Sequence, residues 1–172
     1  MERAIKVDNA YILPGDYRNF AGRPTKFNKA GGARSFCIRL NEEQAMWFKQ
    51  NGFNVQEKIN PNDPDAGVTY VLSIKVSFKV APPRIVMISG NRGTELTENT
   101  VSLLDSAEVQ YADLSINPYE YDVNGSHGYS AYLRELYVTI AENPYAEKYR
   151  NLVMNNGGAV AAGDDSDMMP FN

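Results

Sequence analysis

Between residues 68 and 78 apolar side chains fall at every second position: Val68, Tyr70, Leu72, Ile74, Val76 and Phe78. Thr69, Val71, Ser73, Lys75 and Ser77 fill the places between, and Lys79 follows. A period of two sends these sets to opposite sides of a strand, one to a core and one to water. The same alternation runs over 34–40, where Phe36, Ile38 and Leu40 oppose Ser35, Cys37 and Arg39. Over 129–140 it places Tyr132, Leu136, Val138 and Ile140 together. Shorter strands are expected at 3–7, 53–58, 84–89 and 109–116. Asn41 is placed to cap a helix over 42–51, with acids in its first turn and Gly52 at its end. A modest helix is expected over 97–107, and another from Asn143-Pro144 to about residue 153. The segment 60–67, Pro82-Pro83, 90–93 and Asn124-Gly125 supply turns, the last a hairpin signal. Six to eight strands and two or three short helices make the fold mainly β. An OB-like antiparallel β-barrel closes such strands without free edges, and a sandwich fits nearly as well.

The chain's 172 residues are enough to bury a real core. No apolar run approaches the roughly 18 residues of a membrane span, and the N-terminus lacks the apolar stretch of a secretory signal. A single cysteine, Cys37, excludes an internal disulfide and suits a cytoplasmic location; its apolar neighbours make it a buried, inert thiol. Cys37 and the single histidine, His127, are the whole supply of strong zinc ligands, so no structural zinc is expected. Residues 122–125 begin like a calcium loop, but the glycine comes two positions early and Leu133 stands where the bidentate acid belongs. No phosphate loop, dinucleotide fingerprint or nucleophile elbow is present. The expectation is a binding protein without catalytic residues, cofactor or metal. A carboxylate-only, metal-dependent nuclease is the weak enzymatic alternative.

Charge is unevenly spread. Residues 1–40 carry eight Lys/Arg against three acids, while 94–172 carry three against thirteen. A basic first third suggests a polyanion-binding face, with an acidic arm elsewhere. Within 17–34 aromatics and cations share a segment broken by Gly22, Pro24, Gly31 and Gly32. Unpaired nucleic acid needs that pairing: rings for bases to stack on and cations for the backbone. The candidate contacts are Tyr17, Arg18, Phe20, Arg23, Lys26, Phe27, Lys29 and Arg34, joined by Lys75, Lys79 and Arg84. The expected organisation is a nucleic-acid-binding domain over 1–154 and a flexible, disordered acidic tail over 155–172. Asp164, Asp165 and Asp167 would steer that tail to a basic pocket on a partner. Met168, Met169, Pro170 and Phe171 would fill an apolar socket there.

That tail is similar to the acidic Pro-Phe tip of bacterial single-stranded DNA-binding proteins. Asn172 departs from the pattern by displacing the terminal carboxylate one residue from the ring. The body carries Arg18-Asn19-Phe20-x-Gly22, Phe27-Asn28-x-x-Gly31, Arg34-x-Phe36, Gly52-Phe53-Asn54-Val55 and Arg84-Ile85-Val86-Met87-Ile88. It also carries Pro118-Tyr119-x-Tyr121-Asp122-Val123-Asn124-Gly125 with Ala131-Tyr132-Leu133. With these it resembles a tailed-phage family of OB-fold single-stranded DNA-binding proteins. The resemblance implies a phage origin, action in the host cytoplasm and a single-stranded DNA partner. It further implies replication or recombination proteins recruited by the tail. A homo-oligomer is compatible with the sequence, and DNA and RNA are not distinguished by it. The rival reading is a protein-interaction module with no nucleic-acid affinity.

Overall fold

The computed structural model describes residues 3–79 and 81–141. The helix expected from Asn143 and all seven tail positions, Asp164 to Phe171, lie outside the described residues. Nine strands and one α-helix form within them: β1 (Ile5–Ile12), β2 (Arg18–Asn19), β3 (Arg34–Leu40), α1 (Glu42–Gln50), β4 (Val55–Ile59), β5 (Val68–Val76), β6 (Arg84–Ser89), β7 (Arg92–Leu96), β8 (Val109–Val123) and β9 (Ser126–Ile140).

The two strongest alternations in the sequence lie side by side. Phe36 and Ile38 of β3 stand opposite Ile74 and Leu72 of β5, and all four are buried. Strand β1 pairs antiparallel with β3 and β8, and β8 pairs with β9. The ring closes where Ile74 and Lys75 of β5 run parallel to Ala131 and Tyr132 of β9. The circuit β1-β3-β5-β9-β8 is an OB-type five-stranded barrel. The sheet is mostly antiparallel, with two parallel joints: this closure, and the pairing of β6 with the second half of β9. Strand β4 widens the sheet beyond β5, and β7 does so beyond β6.

Helix α1 forms as its sequence requires. The Asn41 side chain accepts the Gln44 amide at 2.7 Å and the Gln44 side chain accepts that of Asn41 at 3.0 Å, a reciprocal cap. Ala45 and Phe48 face the core, with Phe53 beyond them.

Several boundaries depart from the pattern, each for a local reason. Strand β1 runs five residues past its expected end. Asn9 takes a φ of 52° and shifts the register between Val7 and Ala10, so the inward set loses its period. The helix expected over 97–107 is only a 3-10 turn, Val101–Asp105, because Val101 and Leu104 alone bury apolar area there. Strand β8 continues through the segment read as a lead-in to the hairpin and ends at Asn124 and Gly125, both at positive φ. In β9 the ladder passes from Leu133 to Glu135 and leaves Arg134 unmatched. Leu133 and Leu136 are therefore both buried, and Tyr132 faces away from the core it was expected to join. Strand β7 was not anticipated, since Leu96 is its one buried side chain.

Phe20 completes the interior. It is fully buried and its ring lies on Phe36, with centroids 4.8 Å apart and planes 20° from parallel. Phe36→Ala should therefore cost about 3–5 kcal/mol of stability. Phe27→Ala, at a ring 89% exposed, should change it by no more than about 0.5 kcal/mol. Urea unfolding of both variants checks the contrast.

Candidate nucleic-acid interface

Residues opposite one another in a β-ladder share a face. Ser35, Cys37 and Arg39 of β3 stand opposite Lys75, Ser73 and Val71 of β5. Gln56 and Lys58 of β4 stand opposite Val71 and Thr69. Tyr11 of β1 stands opposite Arg39, and Asn19 of β2 opposite Ser35. Lys75 is in register with Tyr132, and Tyr132 with Asn117. One outer face thus runs unbroken from β1 across β3, β5 and β4, and on to the β8–β9 arm. Val71, expected to be wet, is 1% exposed within it. Barrels of this type bind oligonucleotides on the outer face of their second and third strands, between the first and the last connecting loops. Here those strands are β3 and β5. The flanking elements are the 13–33 loop and the β8–β9 hairpin.

Cations and tyrosines are paired across this face. The Arg39 guanidinium lies 4.4 Å from the Tyr11 ring centroid, Lys75 Nζ 5.8 Å from Tyr132 and Lys58 Nζ 6.0 Å from Tyr17. Tyr119 meets Tyr132 at 5.6 Å, edge to face, and is 63% exposed. Two grooves converge here. The first is lined by Asp16, Asn19, Arg23, Pro24, Thr25, Lys26, Phe27 and Ser35. The second is lined by Asn54, Gln56, Leu72, Ser73, Lys75, Tyr121, Val123, Tyr129, Ser130 and Ala131. Ser35 lines one groove and Lys75 lines the other, and these two are partners in the β3–β5 ladder. The two grooves therefore adjoin at this pair and make one path, with cations and rings along it.

The residues singled out in the sequence divide between this path and the frame beneath it. Tyr17, Arg23, Lys26, Phe27 and Lys75 lie on it; Lys26 Nζ stands 5.2 Å from the Phe27 ring centroid. Lys29 is exposed on the same loop. Phe20 and Arg18 do not lie on the path. Phe20 is sealed in the core, and Arg18 is 5% exposed with its guanidinium donating to the carbonyls of Leu104 and Ala107. Burial draws the Arg18 pKa down, against the opposing pull of the Asp105 carboxylate. Arg34 is half-buried, bonded to the Phe20 carbonyl at 2.7 Å and 3.7 Å from Glu98. Arg84 stands in register with Glu135, which shares a cleft with Asp8 and Asp113 on another part of the barrel. Lys79 is exposed beyond the end of β5.

Tyr11, Arg39, Lys58, Tyr119, Tyr121 and Tyr132 were not anticipated. The alternation of 34–40 already put Arg39 outside. Tyr119-x-Tyr121 carried a period of two that the neighbouring Pro118 and Asn124-Gly125 disguised as a turn. Cys37 lies at the centre of the face; burial, partly countered by a hydrogen bond with Ser73, raises its pKa and keeps the thiol protonated.

The arm is held to the body at its root. The Tyr129 amide donates to the Gly52 carbonyl at 2.9 Å. A Cβ on Gly128 would come within 2.7 Å of both that carbonyl oxygen and the Tyr121 hydroxyl. Gly128→Ala should therefore displace Tyr121 and the arm, and weaken oligonucleotide binding more than it lowers the unfolding midpoint; fluorescence titration beside thermal melting measures both. At the arm's tip, hydrogen bonding to Glu120 raises the His127 pKa. Glu120→Gln should lower its NMR titration midpoint.

Among solved structures, the chain is similar to the single-stranded DNA-binding protein from bacteriophage Enc34 in complex with ssDNA. The identity is 18%, the TM-score 0.48, and coverage is 83% of this chain and 89% of that one. A C-terminal truncation of that protein gives 16%, 0.47, 82% and 87%. For gp2.5, a single-stranded DNA-binding protein encoded by bacteriophage T7, the values are 10%, 0.40, 86% and 97%. No curated protein matches the sequence. The family model described as "Putative phage ssDNA-binding domain" matches residues 1–171. With that match spanning nearly its whole length, the chain belongs to the family of phage single-stranded DNA-binding domains.

Proposed function

We propose that the protein coats single-stranded DNA during phage replication or recombination, in the host cytoplasm. The observation that carries the reading is the set of cation–tyrosine pairs, Arg39–Tyr11, Lys58–Tyr17 and Lys75–Tyr132, on the outer face that the two grooves adjoin. Stacking on such rings accepts any base, because every base has a π-face, and is worth about 1–3 kcal/mol per base. The cations add a salt-dependent term from phosphate neutralisation. Among the described residues no helix is long and apolar enough to cross a membrane, and no group of three His, Cys, Asp or Glu side chains is placed to hold a metal ion. The family name describes binding, and the role needs no reaction.

The candidate contacts become Tyr11, Tyr17, Arg23, Lys26, Phe27, Lys29, Arg39, Lys58, Lys75, Tyr119, Tyr121 and Tyr132. The division proposed is a binding domain over 1–154 with an acidic segment over 155–172. That segment recruits replication or recombination proteins through Asp164, Asp165, Asp167, Met168, Met169, Pro170 and Phe171. The charge partition of the sequence and the apolar end of the acidic run support this part of the reading.

Titrating the full chain with a dT oligonucleotide tests the proposal through quenching of tyrosine fluorescence. Tyr132→Ala should weaken binding by about 1–3 kcal/mol with little change in salt slope. Lys75→Ala should lower the slope of log K against log salt by about 0.7. A wild-type chain with no affinity for the oligonucleotide at low salt would refute the reading. Removing residues 157–172 should tighten DNA binding and abolish capture of partner proteins.

A further inference from the structure

We infer that Arg18 and Asp105 are positioning residues that hold the 20–32 loop in its binding shape, an inference that rests on the single-stranded DNA reading above. They join the base of that loop to the Val101–Asp105 turn, 85 positions away in sequence, and do so in both directions. From the loop, the buried Arg18 guanidinium donates to the carbonyls of Leu104 at 3.0 Å and Ala107 at 2.7 Å, and its Nε to that of Leu13 at 3.3 Å. From the turn, the Asp105 carboxylate accepts two consecutive backbone amides, Phe20 at 2.7 Å and Ala21 at 3.0 Å, one on each oxygen. Arg34 Nη1 takes the Phe20 carbonyl at 2.7 Å. Both polar groups of the Phe20 backbone thus have a charged partner, while its side chain is fixed on Phe36.

Apolar packing alone does not call for these charges. Phe20, Val101 and Leu104 are already fully buried, and a buried charge seldom stabilises more than a well-packed apolar group. What charge-assisted bonds add is direction. The two amides held by Asp105 lead straight into Gly22, at a φ of 74°. The Gly22 carbonyl accepts the Gly32 amide at 2.8 Å and closes the neck of the loop. Past that neck come Arg23, Lys26 and Phe27. A neck set by the brace presents those side chains already ordered, so DNA does not have to order them on binding.

The test is a double-mutant cycle in the full chain. Asp105→Asn turns an amide NH₂ toward a backbone donor and should release the neck, weakening dT-oligonucleotide binding by roughly tenfold. In a Lys26→Ala/Phe27→Ala background the same change should have a much smaller effect on affinity, because most of the contact side chains it positions are gone. Arg18→Lys, which keeps the charge and loses the spread of donors, should repeat the pattern if the first variant folds poorly. Amide hydrogen exchange at Phe20 and Ala21 should quicken in both variants. Losses that multiply independently in a chain that binds DNA overturn the inference alone. A wild-type chain that binds no oligonucleotide overturns the function and the inference with it.

Discussion

Two residue pairs close this barrel. Ile74 against Ala131 and Lys75 against Tyr132 are the whole parallel contact between β5 and β9. Without it β5 and β9 would each present an unpaired edge over a largely apolar interior. The same register determines the outer surface. With Ile74 and Ala131 turned inward, Lys75 and Tyr132 must both turn outward, and the ammonium comes to rest beside the ring. One joint therefore seals the core and assembles the centre of the proposed DNA path. A slip of one residue would reverse both outcomes, because side chains alternate along a strand.

The grooves on either side depend on what bounds them, and here the two walls differ in kind. The arm is a long antiparallel ladder whose root is held by close backbone approach at Gly52 and Gly128, where no side chain fits. The loop has no ladder beyond β2 and relies on buried charge–backbone bonds at its neck. Its outer turn is closed by Thr25 and Asn28, whose backbones bond in both directions at 2.9 and 3.1 Å. That closure leaves the Phe27 ring standing in water. A large apolar ring so exposed at the end of an ordered turn is unfavourable in the free protein and becomes reasonable opposite a base.

How much of this was legible in the sequence depends on how many residues carry a signal. Strands β3, β5 and β6 and helix α1 could be read because alternation or a cap repeats locally. OB-type closure could be inferred from strand number, but its parallel joint could not, because two pairs leave no periodic trace. Bulges at Asn9 and Arg134 hid the true extent of β1 and the true facing of Tyr132; one extra residue inverts the phase that the reading relies on. The aromatic and basic composition of 17–34 located one wall of the path. It could not separate Arg18 and Phe20, which build the frame, from Arg23, Lys26 and Phe27, which stand on it. That separation is set by contacts with the Val101–Asp105 turn, far away along the chain. The other wall was missed because its rings come from a hairpin whose Pro and Asn-Gly signals look like loop.

Cations set against tyrosines have a consequence for how this face would meet a nucleic acid. A cation on one side of a ring leaves the other side open, and Tyr11 and Tyr17 keep 41% and 40% of their surface exposed. A base stacking on the open side therefore need not displace the cation, which is already beside the ring when a phosphate arrives. Each pair would thus meet a nucleotide at both ends, the ring taking the base and the cation the phosphate. Such pairs read shape and charge rather than base edges, and sequence-tolerant coating of single strands requires that kind of recognition.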